Sequence, residues 1–142
     1  MTARGLAVAK GTGVRRKAFI AEDDPSIRKL LTTLLHERAG VDVVGAASQS
    51  TDASVWLLEH GNSWDLALID LFLEEGNGLT VLAGCRVRKS GQRMVVVSNF
   101  ATPDMRRRCA FYGADAFFDK TTELDELVSY CKSLGSSTVP SA

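Results

Sequence analysis

The 142-residue chain predicts an α/β fold, a doubly wound parallel sheet of five strands with helices on both faces. Three observations predict it. Short apolar runs alternate with segments whose apolar residues recur three and four positions apart. The runs lack polar alternation, as strands buried on both faces do. Polar residues gather where the strands should end, the edge at which open parallel sheets bind ligands.

The elements follow in order. Ala18–Ala21 (AFIA) is a strand that stops at Glu22-Asp23-Asp24. Asp24 before Pro25 suits an N-cap followed by proline at the first helical position. SIRKLLTTLLHE then places Ile27, Leu30, Leu31, Leu34 and Leu35 on one buried face, and Gly40 ends the helix. VDVVGAA is the second strand. A helix around Thr51–Glu59 closes at His60-Gly61. The third strand, Leu66–Ile69, runs into Asp70. A helix around Leu79–Lys89, the strand Met94–Val97, a helix around Pro103–Tyr112, the strand Ala114–Phe118 and a helix around Glu123–Leu134 complete the pattern. Residues 1–16 read as a flexible basic tail, 17–134 as one folded domain and 135–142 as a second flexible tail.

Composition narrows the function. Hydrophobic residues make up 45% and charged residues 24%, as in ordinary globular proteins, and the formal net charge is zero. A coat for nucleic acid or an anionic membrane needs a strong basic field, so neither is expected. Arg106-Arg107-Arg108 reads as a solvated helix face rather than a docking patch. No apolar run reaches the roughly 18 residues that a membrane span requires. Cys85, Cys109 and Cys131 are odd in number and contain no CxxC pair, so a disulfide framework or zinc site is not expected. His36 and His60 lack a matching ligand set. A reduced, cytoplasmic setting is expected.

The strand ends carry the chemistry. The first ends in Glu22-Asp23-Asp24, the third in Asp70, the fourth in Ser98-Asn99 and the fifth in Asp119-Lys120. Carboxylates brought together repel, and a divalent cation removes the conflict. Mg²⁺ suits a few carboxylates, waters and phosphate oxygens. Lysine adds a point charge for a phosphoryl group, and serine adds a neutral donor. That set serves phosphoryl transfer, in which an ionised carboxylate can be the nucleophile. Asp24 is assigned to the helix cap rather than to the acidic cluster.

Four stretches, IAEDDPSIRKLL, LALIDLFLEEGNGL, VVVSN and GADAFFDK, resemble the receiver domain of bacterial two-component response regulators, from about Lys17 to Leu134. The resemblance implies a flavodoxin-like sheet in the order 2-1-3-4-5. It implies that Asp70 accepts a phosphoryl group from a phosphohistidine of a sensor histidine kinase or phosphotransfer protein. Glu22, Asp23, Asp70 and the backbone carbonyl of Phe72 would hold Mg²⁺. Ser98 and Lys120 would contact phosphoryl oxygens, and Phe117 falls at the aromatic switch position. A downstream protein would read the face made by helix four, strand five and helix five, with a phosphorylation-dependent dimer as one outcome. Beyond its own phosphotransfer and slow autodephosphorylation, no substrate turnover is expected.

Some residues depart from the family pattern. Thr121 stands where proline usually follows the lysine, so a trans peptide and a differently shaped loop are expected. Asn99 replaces a small residue, and Phe72 puts a bulky side chain beside the site. Asn99 and Phe72 are expected to set the lifetime of the phosphorylated state. The altered loop residues also keep open a degenerate receiver that acts as a phosphorylation-independent interaction module. A small phosphatase with an aspartyl nucleophile would carry a second acid where Phe72 stands. A nucleotide- or flavin-binding domain would need a glycine-rich phosphate loop after strand one, where EDDP stands. No output module is read after the last helix, so a stand-alone receiver and a piece of a longer protein both remain open.

Overall fold

A computed structural model describes residues 15–136. The strands are β1 (Arg16–Ala21), β2 (Val41–Ala47), β3 (Leu66–Ile69), β4 (Arg93–Ser98) and β5 (Ala116–Asp119). The helices are α1 (Pro25–Leu34), α2 (Ser50–Glu59), α3 (Gly78–Gly84), α4 (Pro103–Phe111) and α5 (Leu124–Ser136). All pairings are parallel, and the sheet order is β2-β1-β3-β4-β5. The chain steps from β1 to one side and then to the other, so strand order reverses between β1 and β3. The carboxyl ends of these two strands are where such sheets bind ligands.

Alternate side chains of the central strands feed two cores. Phe19, Ala21, Ala67, Ile69, Met94 and Val96 join Leu57 of α2, Val81 and Leu82 of α3, and Cys109 of α4. Ala18, Ile20, Leu66, Leu68, Val95 and Val97 face the other way, against Leu31 of α1, Leu35, and Leu127 and Cys131 of α5. This two-sided burial is why β1, β3 and β4 read as unbroken apolar runs. The edge strands β2 and β5 are mostly half-buried.

Several local features agree with the sequence reading. Asp24 caps α1 by accepting the Ser26 and Ile27 N–H groups at 2.8 and 3.4 Å, with Pro25 in the first turn. Gly40, at φ 69°, ends the helical stretch in the left-handed region. The last turn before it, Leu35–Ala39, is π-helical.

Other features differ. Leu30 is 43% exposed, because the buried stripe runs through Ile27, Leu31 and Leu35 and leaves Leu30 about 100° away. The third helix ends at Gly84 and not near Lys89. There the Arg88 guanidinium takes the carbonyls of Cys85 and Gly113, at 3.0 and 2.8 Å, and turns the chain. The fifth strand begins at Ala116, because Asp115 Oδ2 accepts the Met94 N–H at 2.8 Å and ion-pairs with Arg88 at 2.7 Å. Arg16 already belongs to β1, and α5 runs through Ser136. The rest of the two predicted tails, residues 1–14 and 137–142, lies outside the described residues. Among the described residues, no helix is long and apolar enough to cross a membrane.

Candidate functional site

Asp70 is placed by the end of β3. Its N–H donates to Ala21 O at 2.9 Å, which continues the β1–β3 ladder to the sheet edge. The residue is 7% exposed. Glu22 sits beside it in the same manner, its N–H donating to Ala47 O at 2.9 Å. Asp23, the next residue, is exposed. One carboxylate oxygen from each of Glu22, Asp23 and Asp70 lies within 4.8 Å of the others.

Lys120 reaches across from the end of β5. Its Nζ lies 3.0 Å from Asp70 Oδ2, to which it donates a hydrogen bond, and 2.7 Å from Glu22 Oε1. Burial pushes the Glu22 carboxyl up from its ordinary value, against the hydrogen bond from Lys120 and that from the Asp24 N–H, which lower it. Burial alone would lower the lysine, yet the two carboxylates outweigh it and raise Lys120. Three carboxylates against one ammonium leave two negative charges in excess. Glu22 Oε1 is buried and has Lys120 Nζ as its charged partner, while Oε2 accepts the Asp24 N–H at 3.1 Å. Three hard oxygen donors within reach of one another and a formal charge excess of two fit a divalent cation such as Mg²⁺.

Ser98, at the end of β4, is fully buried. Its Oγ accepts the Phe100 N–H at 3.2 Å, so the hydroxyl faces its own loop and makes no hydrogen bond to Asp70. Its carbonyl accepts the Lys120 N–H at 3.1 Å, which ties the β4 and β5 loops together. The peptide between Lys120 and Thr121 is trans. Phe117 is half-buried and packs on the core beneath α4.

Phe72 and Phe100 stand at the mouth, each 52% exposed, with ring centroids 4.4 Å apart. Nothing in the sequence pattern points to this pair, because the two rings come from different loops. The sequence reading also missed Gly78. A Cβ there would run into Asp70 O and come within 2.9 Å of Ile69 Cγ2. The start of α3 can therefore close against the Asp70 backbone only with glycine in that place. The run of three arginines predicts a solvated charge at Arg106. Arg106 donates instead to Phe117 O at 3.1 Å and to Glu123 Oε1 at 2.8 Å, with its guanidinium 4.9 Å from the centre of the Phe117 ring. Arg107 is well exposed, as expected for a solvated face.

The family model of the response regulator receiver domain matches residues 18–132. A transcriptional regulator of Pseudomonas aeruginosa is 31% identical over 118 residues, 83% of this chain and 56% of that protein. The transcriptional regulatory protein MalR of Bacillus subtilis is 30% identical over 107 residues, 75% of this chain and 45% of that protein. The chain thus spans about half the length of these relatives. The receiver domain of the Francisella response regulator 1452 superposes with a TM-score of 0.74 at 22% identity, covering 87% of this chain and 99% of that one. A chain of the CheX–CheY–BeF3–Mg complex from Borrelia burgdorferi gives 0.77 at 19% identity, covering 89% and 94%. These two likenesses concern the fold. With the family model spanning nearly all of the described residues, this protein belongs to the receiver domains of two-component response regulators.

Proposed function

We propose that this receiver is a phosphorylation-activated switch whose phosphoacceptor is Asp70. The observation that carries the reading is the nearly buried Asp70 carboxylate, bonded to Lys120 Nζ at 3.0 Å and grouped with Glu22 and Asp23. An Asp70 oxygen attacks the phosphorus of a phosphohistidine on a sensor kinase or phosphotransfer protein. The new O–P bond forms as the donor's N–P bond breaks, and the electron pair leaves with the imidazole nitrogen, which is protonated. Lys120 shifts from the carboxylate to a phosphoryl oxygen and offsets its charge. Ser98 gives up the Phe100 N–H and turns its hydroxyl to another phosphoryl oxygen. Glu22, Asp23, Asp70 and the Phe72 carbonyl would hold Mg²⁺, which when bound supplies positive charge to the oxygens in transfer.

The phosphoryl group replaces the single charge of the Asp70 carboxylate with about −1.5 to −2, a net gain of up to about one negative charge, and brings new acceptor oxygens to the sheet edge. As Ser98 moves, Phe117 turns toward the space it leaves. The α4–β5–α5 face then changes its affinity for a downstream protein, a population shift driven by one local charge.

The test is intact mass after incubation with a small acyl phosphate and Mg²⁺, with Asp70→Ala in parallel. One added phosphoryl group, absent in the variant and absent without Mg²⁺, is the expected result. No addition under any condition would instead favour the phosphorylation-independent interaction module. The resting orientation of Ser98 toward Phe100 is the feature that speaks for that second reading.

A further inference from the structure

Asn99 and Thr121, two residues that depart from the family pattern, touch each other. Thr121 Oγ1 donates to Asn99 Oδ1 at 2.9 Å across an exposed gap between the β4 and β5 loops. Asn99 directly follows Ser98, and Thr121 directly follows Lys120. A single bond therefore joins the neighbours of the two groups that would grip the phosphoryl group. Hydrogen bonds open to water add little to folding, so the fold does not depend on this one.

The two ends of the bond differ in freedom. Asp119 Oδ1 accepts the Thr121 N–H at 2.7 Å and the Thr122 N–H at 3.1 Å, which pins Thr121 in a tight turn. Asn99 has no comparable anchor of its own and must follow Ser98. In the present structure Ser98 Oγ accepts the Phe100 N–H at 3.2 Å and makes no hydrogen bond to Asp70. Closing Ser98 onto a phosphoryl group would carry Asn99 with it while Thr121 stays fixed, stretching the bond between them.

We infer that Asn99 and Thr121 form a latch that holds the Ser98 loop in its resting position and so slows phosphorylation of Asp70. Both are positioning residues, because they act through Ser98. The inference rests on the phosphoacceptor reading above. It also explains why the two departures work together: threonine supplies the hydroxyl that proline lacks, and asparagine supplies the acceptor that a small residue lacks.

The experiment follows acyl phosphate phosphorylation rates in the full chain, in Thr121→Val, Asn99→Ala, the double variant and Thr121→Ser, with thermal midpoints to confirm folding. Valine keeps the branched shape of threonine and removes only the hydroxyl. Each single variant should react about threefold to tenfold faster, the range one hydrogen bond commands. The double variant should match the singles, as coupled residues do. Thr121→Ser should behave as the parent chain. Unchanged or slower rates, additive effects, or a serine variant that behaves like valine would overturn the latch while leaving the phosphoacceptor intact. A parent chain that takes no phosphoryl group would overturn both.

Discussion

Phe72 stands two residues beyond Asp70, the proposed phosphoacceptor. Its half-exposed ring, in the loop that follows Asp70, packs at a tilt on Phe100 and offers an apolar cover for the proposed site. Hydrolysis of an aspartyl phosphate needs a water molecule to reach the phosphorus, and an apolar cover limits that access. Phe72→Ala should therefore shorten the life of the phosphorylated chain by about threefold to tenfold, a change of roughly a kilocalorie per mole in the barrier. The decay of phosphoprotein after removal of the acyl phosphate measures it, and an unchanged half-life would refute the role. At this scale the acids, Ser98 and Lys120 were legible in the sequence, since each stands at a strand end. The contacts between loops were not. Phe72–Phe100 and Asn99–Thr121 join residues 28 and 22 positions apart, and no local pattern encodes such a meeting.

Helix α4 carries the clearest difference between pattern and structure. Three consecutive arginines suggest a uniformly solvated face, yet Arg106 turns inward to β5 and the start of α5. Glu123 receives it, and also accepts the Asp119 N–H at 2.8 Å, so one carboxylate fastens α4 and β5 to the start of α5. The Arg106 hydrogen bond, followed by that of the Asp119 N–H, holds the Glu123 carboxyl below its ordinary value of 4.5. A lowered folded value means that the contribution is complete above 4.5 and is lost as pH falls through the folded value. Glu123→Gln should lower the thermal midpoint near neutral pH, and the gap to the parent chain should close in more acidic solution. Equal midpoints at neutral pH would show that the pair adds nothing net, as exposed pairs often do. Element positions were otherwise legible because alternating burial on both sheet faces leaves unbroken apolar runs. Boundaries set by a single long side chain, such as Arg88 at the end of α3, were not.

Over the whole molecule, the site lies at one edge of the sheet and the proposed output on a flank. The path between them is short: Ser98 pairs with Asp119 and Val96 with Phe117 across the β4–β5 ladder. Phosphorylation at Asp70 should therefore shift the resonances of residues 128–134 in α5, which pack behind β5. Spectra with and without a phosphoryl mimic test this, and an unmoved segment would refute the switch. Sheet order and class followed from alternation and resemblance together. Periodicity alone gives five strands but not their sequence in space, because each crossover can turn either way from the growing edge.

The three buried cysteines divide between the two layers. Cys85 and Cys109 sit in the core under α2, α3 and α4, and Cys131 sits in the core under α1 and α5. Burial raises all three thiols, pushing Cys109 up to about 11 and Cys131 up to about 12, so the folded protein presents almost no thiolate to a reagent. Labelling can proceed only when a layer opens. Each thiol is thus a natural clock for its own side of the sheet. Comparing the clocks with and without a phosphoryl group would tell which layer loosens when the signal arrives, with no probe added to the chain.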